Sequence, residues 1–227
     1  MEWIGTEREP VVTIDGFADD AEVLRAAAWQ SRFKPIGEYY PGPRAPVPAR
    51  YLESIGEVLD AVMREFFSCR EGGEVLRSYY SMATTPPNEL TLPQRIPHTD
   101  AYDDRQIAII HFLGYDDLGG TAFFRHRSTG FETVNSQRVE SYHAALDAEF
   151  KQHGEPEPAY IGSDSPFFER IHVSEHRYNR ALIYRGKLLH CAALDARPNL
   201  PDSLENGRLT VATFVKPHLS NRQANPS

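Results

Sequence analysis

Hydrophobic side chains recur with two different spacings along the 227-residue chain. Before residue 75 they recur every three or four positions in two segments, which predicts amphipathic helices over residues 21–29 and 52–66. The same spacing, preceded by the helix-capping residue Asn135, predicts a third helix over residues 134–151. A short strand is predicted at residues 11–14.

After residue 75 the apolar positions form short runs rich in β-branched and aromatic residues, separated by glycine turns. These runs predict strands at residues 75–84, 107–113, 121–126, 167–173, 180–186, 187–190 and 208–215. Many short strands with turn signals are typical of closed or double-sheet β proteins. We therefore predict a mainly β protein with flanking helices, built on a double-stranded β-helix core of the jelly-roll or cupin-like kind.

The length of the chain fits a single domain over residues 1–227. We expect residues 1–74 to form an N-terminal helical support, residues 75–216 the jelly-roll catalytic core, and residues 217–227 a polar tail. Residues 35–48 are dense in proline and glycine, which excludes a regular helix or a central strand. They form either an ordered loop or a lip over the active site, in which Tyr39, Tyr40 and Arg44 contact the substrate.

Composition excludes several classes of partner. The net charge of −8 argues against a nucleic-acid partner, which needs a basic surface. The longest apolar run is too short to span a membrane, and the first residues do not resemble a signal peptide. Two cysteines, Cys69 and Cys191, fit a reducing compartment, so we expect a cytoplasmic protein. The sequence does not indicate the oligomeric state.

The most informative stretch is His98-Thr99-Asp100, just before the strand predicted at residues 107–113. Side chains two apart on an extended chain point to the same face, so an imidazole and a carboxylate lie side by side. His190 follows a later strand. If the strands converge on one mouth of a barrel, these three residues form the two-histidine, one-carboxylate triad of non-haem Fe(II) oxygenases.

A buried cation is the second requirement of such a site, because the far carboxylate of 2-oxoglutarate needs a partner. Arg208 opens the last predicted strand, and Thr210 lies on the same face two residues later. The planar guanidinium of an arginine pairs a carboxylate through two hydrogen bonds. We therefore expect His98, Asp100 and His190 to bind Fe(II), and Arg208 with Thr210 to bind 2-oxoglutarate, which leaves one metal position for dioxygen.

The order His98-Thr99-Asp100, Gly119-Gly120-Thr121, His190 and Arg208 resembles the Fe(II)/2-oxoglutarate-dependent dioxygenases, specifically their prolyl-4-hydroxylase-like branch. The chain also resembles the proteins of family DUF6445. The first resemblance covers roughly residues 75–216. It implies hydroxylation of a small polar molecule, an amino acid or a peptide side chain, and contact of Tyr80 or its neighbour Tyr79 with the co-substrate. Arg208 stands where close prolyl-hydroxylase relatives often have lysine, and the loop from Tyr80 to His98 is longer.

Two alternative functions stay open at this stage. The first is a cupin-like metal-dependent enzyme that does not use 2-oxoglutarate, in which Arg208 is structural. The second is a non-enzymatic barrel that binds a small molecule or peptide.

Other polar residues have less specific interpretations. Arg125 and Arg127, together with Tyr39, Tyr40 and Arg44, hint at a polar or anionic substrate. His111 is expected in the core, and Cys191 as a small buried filler. His126 points either into the barrel or to solvent.

Overall fold

The computed structural model describes residues 1–37, 39–69, 72–161, 163–194 and 200–218. Within these residues two antiparallel sheets and three α-helices form the fold. The helices are α1 (Ala21–Ala28), α2 (Ala49–Phe66) and α3 (Val139–His153). The strands are β1 (Glu2–Ile4), β2 (Glu9–Asp15), β3 (Lys34–Pro35), β4 (Pro43–Pro46), β5 (Gly73–Ala83), β6 (Ile107–Phe112), β7 (Thr121–His126), β8 (Phe168–Ser174), β9 (Arg180–Arg185), β10 (His190–Ala192) and β11 (Arg208–Pro217).

The larger sheet has the order β1-β2-β9-β6-β11-β5-β4-β3, and the smaller has the order β10-β7-β8. Residues from both sheets form one apolar cluster between them, which includes Phe112, Phe123, Tyr184 and Phe214. The other face of the larger sheet packs on α1 and α2. The smaller sheet packs on α3. The result is a double-sheet core with helices on both outer sides, which confirms the predicted fold class.

Alternation along β5 and β11 decides which residues face the space between the sheets. Val211 and Tyr80 are paired across these strands and belong to the cluster under the helices. Ala212 and Phe214 belong to the cluster between the sheets. Tyr80 is fully buried, and its hydroxyl donates a 2.6 Å hydrogen bond to the carbonyl of Leu24 in α1. Tyr80 therefore ties the helical layer to the sheet.

The N-terminal third is more than the helical support that we predicted. Strands β1 to β4 extend the larger sheet at both ends, with β2 paired to β9 and β4 paired to β5. Strands as short as β3 and β4 leave little periodicity for sequence analysis to detect. The division of the chain into support, core and tail stays a prediction, and the predicted tail lies outside the described residues after His218.

Two predicted boundaries are shifted by local hydrogen bonds. The third helix begins at Val139, because Asn135 caps the preceding turn by accepting hydrogen bonds from the backbone N–H groups of Gln137 and Arg138. The strand predicted at residues 187–190 instead begins at His190, after a turn closed by a hydrogen bond from Leu188 N to Arg185 O. No helix in the described part of the chain is long and apolar enough to cross a membrane.

We expect Tyr80→Phe to lower the free energy of unfolding by about 1 kcal/mol, because the variant loses one buried hydrogen bond. Urea denaturation measures the change. Tyr79→Phe is the matched control, since Tyr79 lies on the opposite face and is half-buried, and it should change stability by less than about 0.5 kcal/mol. Equal effects of the two variants would contradict the assigned faces.

Candidate metal centre and its cavity

A pair of backbone hydrogen bonds brings the two distant histidines together. His98 N donates to His190 O and His190 N donates to His98 O, both at 2.9 Å. Asp100 N donates to the carbonyl of Gly186 at 2.7 Å. The segment of residues 98–100 therefore runs beside the turn that leads into β10. Backbone contacts fix all three side chains on one side of this junction.

The side chains of His98, Asp100 and His190 offer three ligand atoms that all lie within 4.8 Å of one another. His190 Nε2 is 3.3 Å from Asp100 Oδ2, and His98 Nε2 is 3.9 Å from Asp100 Oδ1. Adjacent ligands about 2.1 Å from one metal ion are separated by about 3 Å. The three groups are thus spaced to take a single ion with small adjustments.

Two further observations show that the group fits a divalent cation. His190 Nδ1 lies 2.9 Å from the carbonyl of Leu188, to which it must donate, so Nε2 carries the free lone pair. Asp100 Oδ2 is buried and has no hydrogen-bond partner. A buried carboxylate oxygen without a donor is costly unless a cation neutralises it.

The electrostatics of the site point the same way. Burial raises the pKa of Asp100, and the nearby His190, Arg77 and Arg44 only partly oppose this effect. Burial also holds the pKa of His98 well below its usual value, with His190 and Arg44 adding to the shift. Because His98 is neutral at physiological pH, its imidazole can bind metal without losing a proton first.

Arg208 lies in the same cavity and is 3% exposed. Its Nε donates to Gly119 O at 2.9 Å and its Nη2 donates to Gly120 O at 2.7 Å. A Cβ atom on Gly119 would lie 1.9 Å from Ala193 O, and one on Gly120 would lie 1.8 Å from Ser174 O. Both glycines therefore lie tightly against neighbouring backbone, and their carbonyls hold the guanidinium from one side.

The cavity joins the three metal-ligand candidates to Arg208 and Thr210 and contains about 740 Å³ of empty space, including its open mouth. The other residues around it come from residues 39–44, from the segment before His98 and from both sheets: Tyr39, Tyr40, Pro41, Arg44, Pro93, Gln94, Ile96, Ile110, Thr121, Tyr160, Ile161, Tyr184, Cys191, Ala192, Ala212 and Phe214.

The prediction that Tyr80 contacts the co-substrate is wrong, because its hydroxyl is bonded to Leu24 under the helices. Tyr79 is not among the residues that line the cavity either. Tyr40 is the tyrosine that lies near Arg208. Burial raises the pKa of its hydroxyl, and the charges of Arg208 and Arg44 oppose this rise. Its hydroxyl is buried and lies beside Arg208 and Thr210. Tyr39, Tyr40 and Arg44 of the proline-rich segment all line the cavity, and their contact with a substrate stays a prediction.

Sequence analysis missed Tyr184, whose hydroxyl is also buried and without a hydrogen-bond partner. Its ring packs edge-on against His190 at 4.9 Å between centroids. Burial raises the pKa of Tyr184 well above the ordinary value, and Asp100 adds to this shift. The alternation of side chains along β9 could have indicated its position, because Leu182 and Tyr184 are two residues apart and share the face between the sheets.

Several other residues with predicted roles do not line the cavity. Arg125 forms ion pairs with Glu132 and Glu169, and Arg127 pairs with Asp164, so neither lines the cavity. His126 faces neither the cavity nor solvent, since it is fully buried and bonded to Thr129 and Glu149. His111 is a core residue as expected. Cys191 differs from the expectation because it is half-buried and lines the cavity.

We expect Gly120→Ala to lower the free energy of unfolding by about 3 kcal/mol, because the new methyl group overlaps the carbonyl of Ser174. Gly56→Ala is the matched control. Gly56 lies inside α2 with nothing within 4 Å of an added Cβ, so this substitution should raise the free energy of unfolding by roughly 0.5–1 kcal/mol. Thermal unfolding compares the two variants. A Gly120→Ala protein as stable as the wild type would contradict the close approach.

We expect Asp100→Asn to raise the Tm of the metal-free protein at pH 7. Burial raises the pKa of Asp100, so the ionised carboxylate destabilises the fold above that pKa and protonation relieves the cost as the pH falls through it. The difference in Tm between Asp100→Asn and the wild type should therefore shrink toward acidic pH. Asp103→Asn is the control with the opposite sign, because the backbone N–H of Arg105 and the side chain of Lys216 lower the pKa of Asp103. A drop in Tm for Asp100→Asn would contradict the assignment.

Solved structures of HygX from Streptomyces hygroscopicus have a similar fold. The iron-bound structure gives a TM-score of 0.54 at 11% identity, covering 94% of this chain and 84% of that chain. The structure with nickel and 2-oxoglutarate bound gives a TM-score of 0.52 at 11% identity, covering 94% of this chain and 85% of that chain. A comparison with curated proteins found no match. Residues 1–215 match the model of DUF6445, a family of unknown function, and the chain belongs to this family.

Proposed function

We propose that this protein is an Fe(II)- and 2-oxoglutarate-dependent oxygenase. The observation that carries the proposal is the placement of three ligand atoms within 4.8 Å of one another in a cavity that also holds the buried Arg208. A metal site alone fits many enzymes, but a buried arginine beside a two-histidine, one-carboxylate group fits a metal that works with a dicarboxylate. The iron-bound and 2-oxoglutarate-bound structures of HygX support the same class.

His98, Asp100 and His190 would hold the metal from one side and leave three positions open. When bound, Fe(II) with 2-oxoglutarate and dioxygen supplies the oxidation of a substrate C–H bond to C–OH, while 2-oxoglutarate is converted to succinate and CO2. The neutral His98 and the Leu188-oriented His190 present nitrogen lone pairs, and Asp100 supplies the negative charge.

Arg208 would bind the far carboxylate of 2-oxoglutarate. Its position is fixed by the carbonyls of Gly119 and Gly120, so little side-chain freedom is lost on binding. Thr210 lies two residues along the same face, and the buried hydroxyls of Tyr40 and Tyr184 are further polar groups in the cavity. These groups replace water around the co-substrate.

Apolar side chains complete the site. Ile110, Ala212 and Phe214 line the cavity from the larger sheet, and Ile96 and Ile161 line it elsewhere. They exclude water from the region between the metal and the mouth, which protects a reactive oxidant from wasteful reactions. The substrate would be a small molecule or a peptide side chain, and the reaction a hydroxylation.

Succinate release in air, measured with added Fe(II) and 2-oxoglutarate, tests the proposal. We expect slow release without substrate in the wild type and none in Asp100→Ala. Metal binding without 2-oxoglutarate consumption would instead favour a cupin-like enzyme. Full turnover in Asp100→Ala would show that the metal assignment is wrong.

We expect Arg208→Met to raise the Kd for 2-oxoglutarate at least about 30-fold, because truncation leaves the buried carboxylate without its cation. Arg208→Lys keeps the charge but not the planar fork, and should raise the Kd about tenfold. Calorimetric titration of the Ni(II)-loaded protein measures both values. Arg127→Met, which removes an exposed arginine outside the cavity, is the matched control. An unchanged Kd in Arg208→Met would assign Arg208 to structure alone.

A further inference from the structure

A second arginine, Arg44, faces the cavity from β4. Arg44 is paired with Ser81 in β5, and Ser81 is paired with Thr210 in β11. Directly paired residues in antiparallel strands point to the same face, so Arg44 and Thr210 share the face that lines the cavity. Two strand spacings separate their backbones by roughly 10 Å. Arg44 therefore reaches the cavity from β4, two strands away from Arg208 in β11.

The side chain of Arg44 has no ion pair or hydrogen bond with another described residue, and its Nε is buried without a partner. Its guanidinium carbon lies 4.4 Å above the centre of the Tyr40 ring. The hydroxyl of the same tyrosine lies near Arg208 and Thr210, whose influence reaches its pKa. Tyr40 thus stands between the two guanidinium groups. A buried donor without a partner, held by a stacking contact and facing a cavity, points to an anionic ligand.

Charge balance leads to the same conclusion. Among the described residues that line the cavity, the charged groups are Asp100 and the two arginines. A divalent cation and the dianion of 2-oxoglutarate would cancel each other. The two guanidinium groups then exceed the single carboxylate by one positive charge. One further negative charge would neutralise the loaded cavity.

We propose that Arg44, stacked on Tyr40, binds a carboxylate of the substrate beside the metal centre. The inference rests on the proposed function and narrows it to substrates that carry an acidic group, such as amino acids or other small carboxylic acids. A carboxylate matches both the planar fork of arginine and the single missing charge. Tyr39, 61% exposed at the mouth, and Tyr160 offer aromatic surfaces to the rest of such a molecule.

The test uses matched acid and amide probes on the protein loaded with Ni(II) and saturating 2-oxoglutarate. Acetate is compared with acetamide and benzoate with benzamide, at constant ionic strength set with sodium chloride. We expect at least one acid, and neither amide, to raise the Tm, by about 3 °C at ten times its Kd. Arg44→Met should abolish this rise, Arg44→Lys should keep part of it, and the control Arg127→Met should keep all of it.

Three results would overturn the proposal: no rise with either acid in the wild type, equal rises with the amides, or a full rise in Arg44→Met. Inorganic phosphate at the same ionic strength separates the two anion classes, and a rise with phosphate alone would reject the carboxylate assignment. A large loss of 2-oxoglutarate affinity in Arg44→Met would instead assign Arg44 to the co-substrate. Failure of the proposed function is seen separately, as the absence of 2-oxoglutarate binding in the wild type before any probe is added.

Discussion

The pair of backbone hydrogen bonds between His98 and His190 is the constraint on which the candidate site depends. These residues are far apart in sequence, and neither occupies the middle of a long strand. The bridge sets the separation of the two imidazoles, whose ring centroids lie 4.5 Å apart. The contact of Asp100 with Gly186 then adds the carboxylate from the same segment. Backbone pairing, which does not depend on side-chain rotamers, thus brings the three candidate ligands together.

The cavity concentrates polar groups that lack partners. Asp100 Oδ2, Arg44 Nε and the hydroxyl of Tyr184 are all buried there without a hydrogen bond. Each such group costs free energy in the fold, typically about 1–3 kcal/mol. The cost is recovered when ligands supply the missing partners, which also raises the stability of the folded protein by mass action. The arrangement therefore favours ligand binding at the expense of the stability of the ligand-free chain.

His98, Asp100, His190 and Arg208 could be named as candidates from the sequence because their signals are local or chemical, and the fold brings them into one cavity. The spacing of His98 and Asp100 and the position of Arg208 at the start of a strand can be read without a fold. The prediction for Tyr80 could not be made safely from the sequence. Tyr79 and Tyr80 are neighbours and point to opposite faces of β5, and only the register of β5 on β11 decides which of them faces the helices. Tyr184 was missed because its role depends on the pairing of β9 with β6.

Charge alone was a poor guide to position. Arg125 and Arg127 looked like substrate contacts, but acidic partners hold them outside the cavity. Arg44 lies in a segment whose role the sequence left open, and its importance follows from the absence of such a partner among the described residues. The burial of a cation and its pairing are properties of the folded chain, so the sequence could name the candidates but could not rank them.

The most direct test of the central claim is an anaerobic titration of the metal-free protein, first with Fe(II) and then with 2-oxoglutarate, followed by visible absorption. The account predicts a weak charge-transfer band from the keto acid bound to the metal in the wild type, and its loss in His190→Ala. Iron binding without the band would contradict the role of 2-oxoglutarate. A wild type that binds no iron would contradict the metal centre itself.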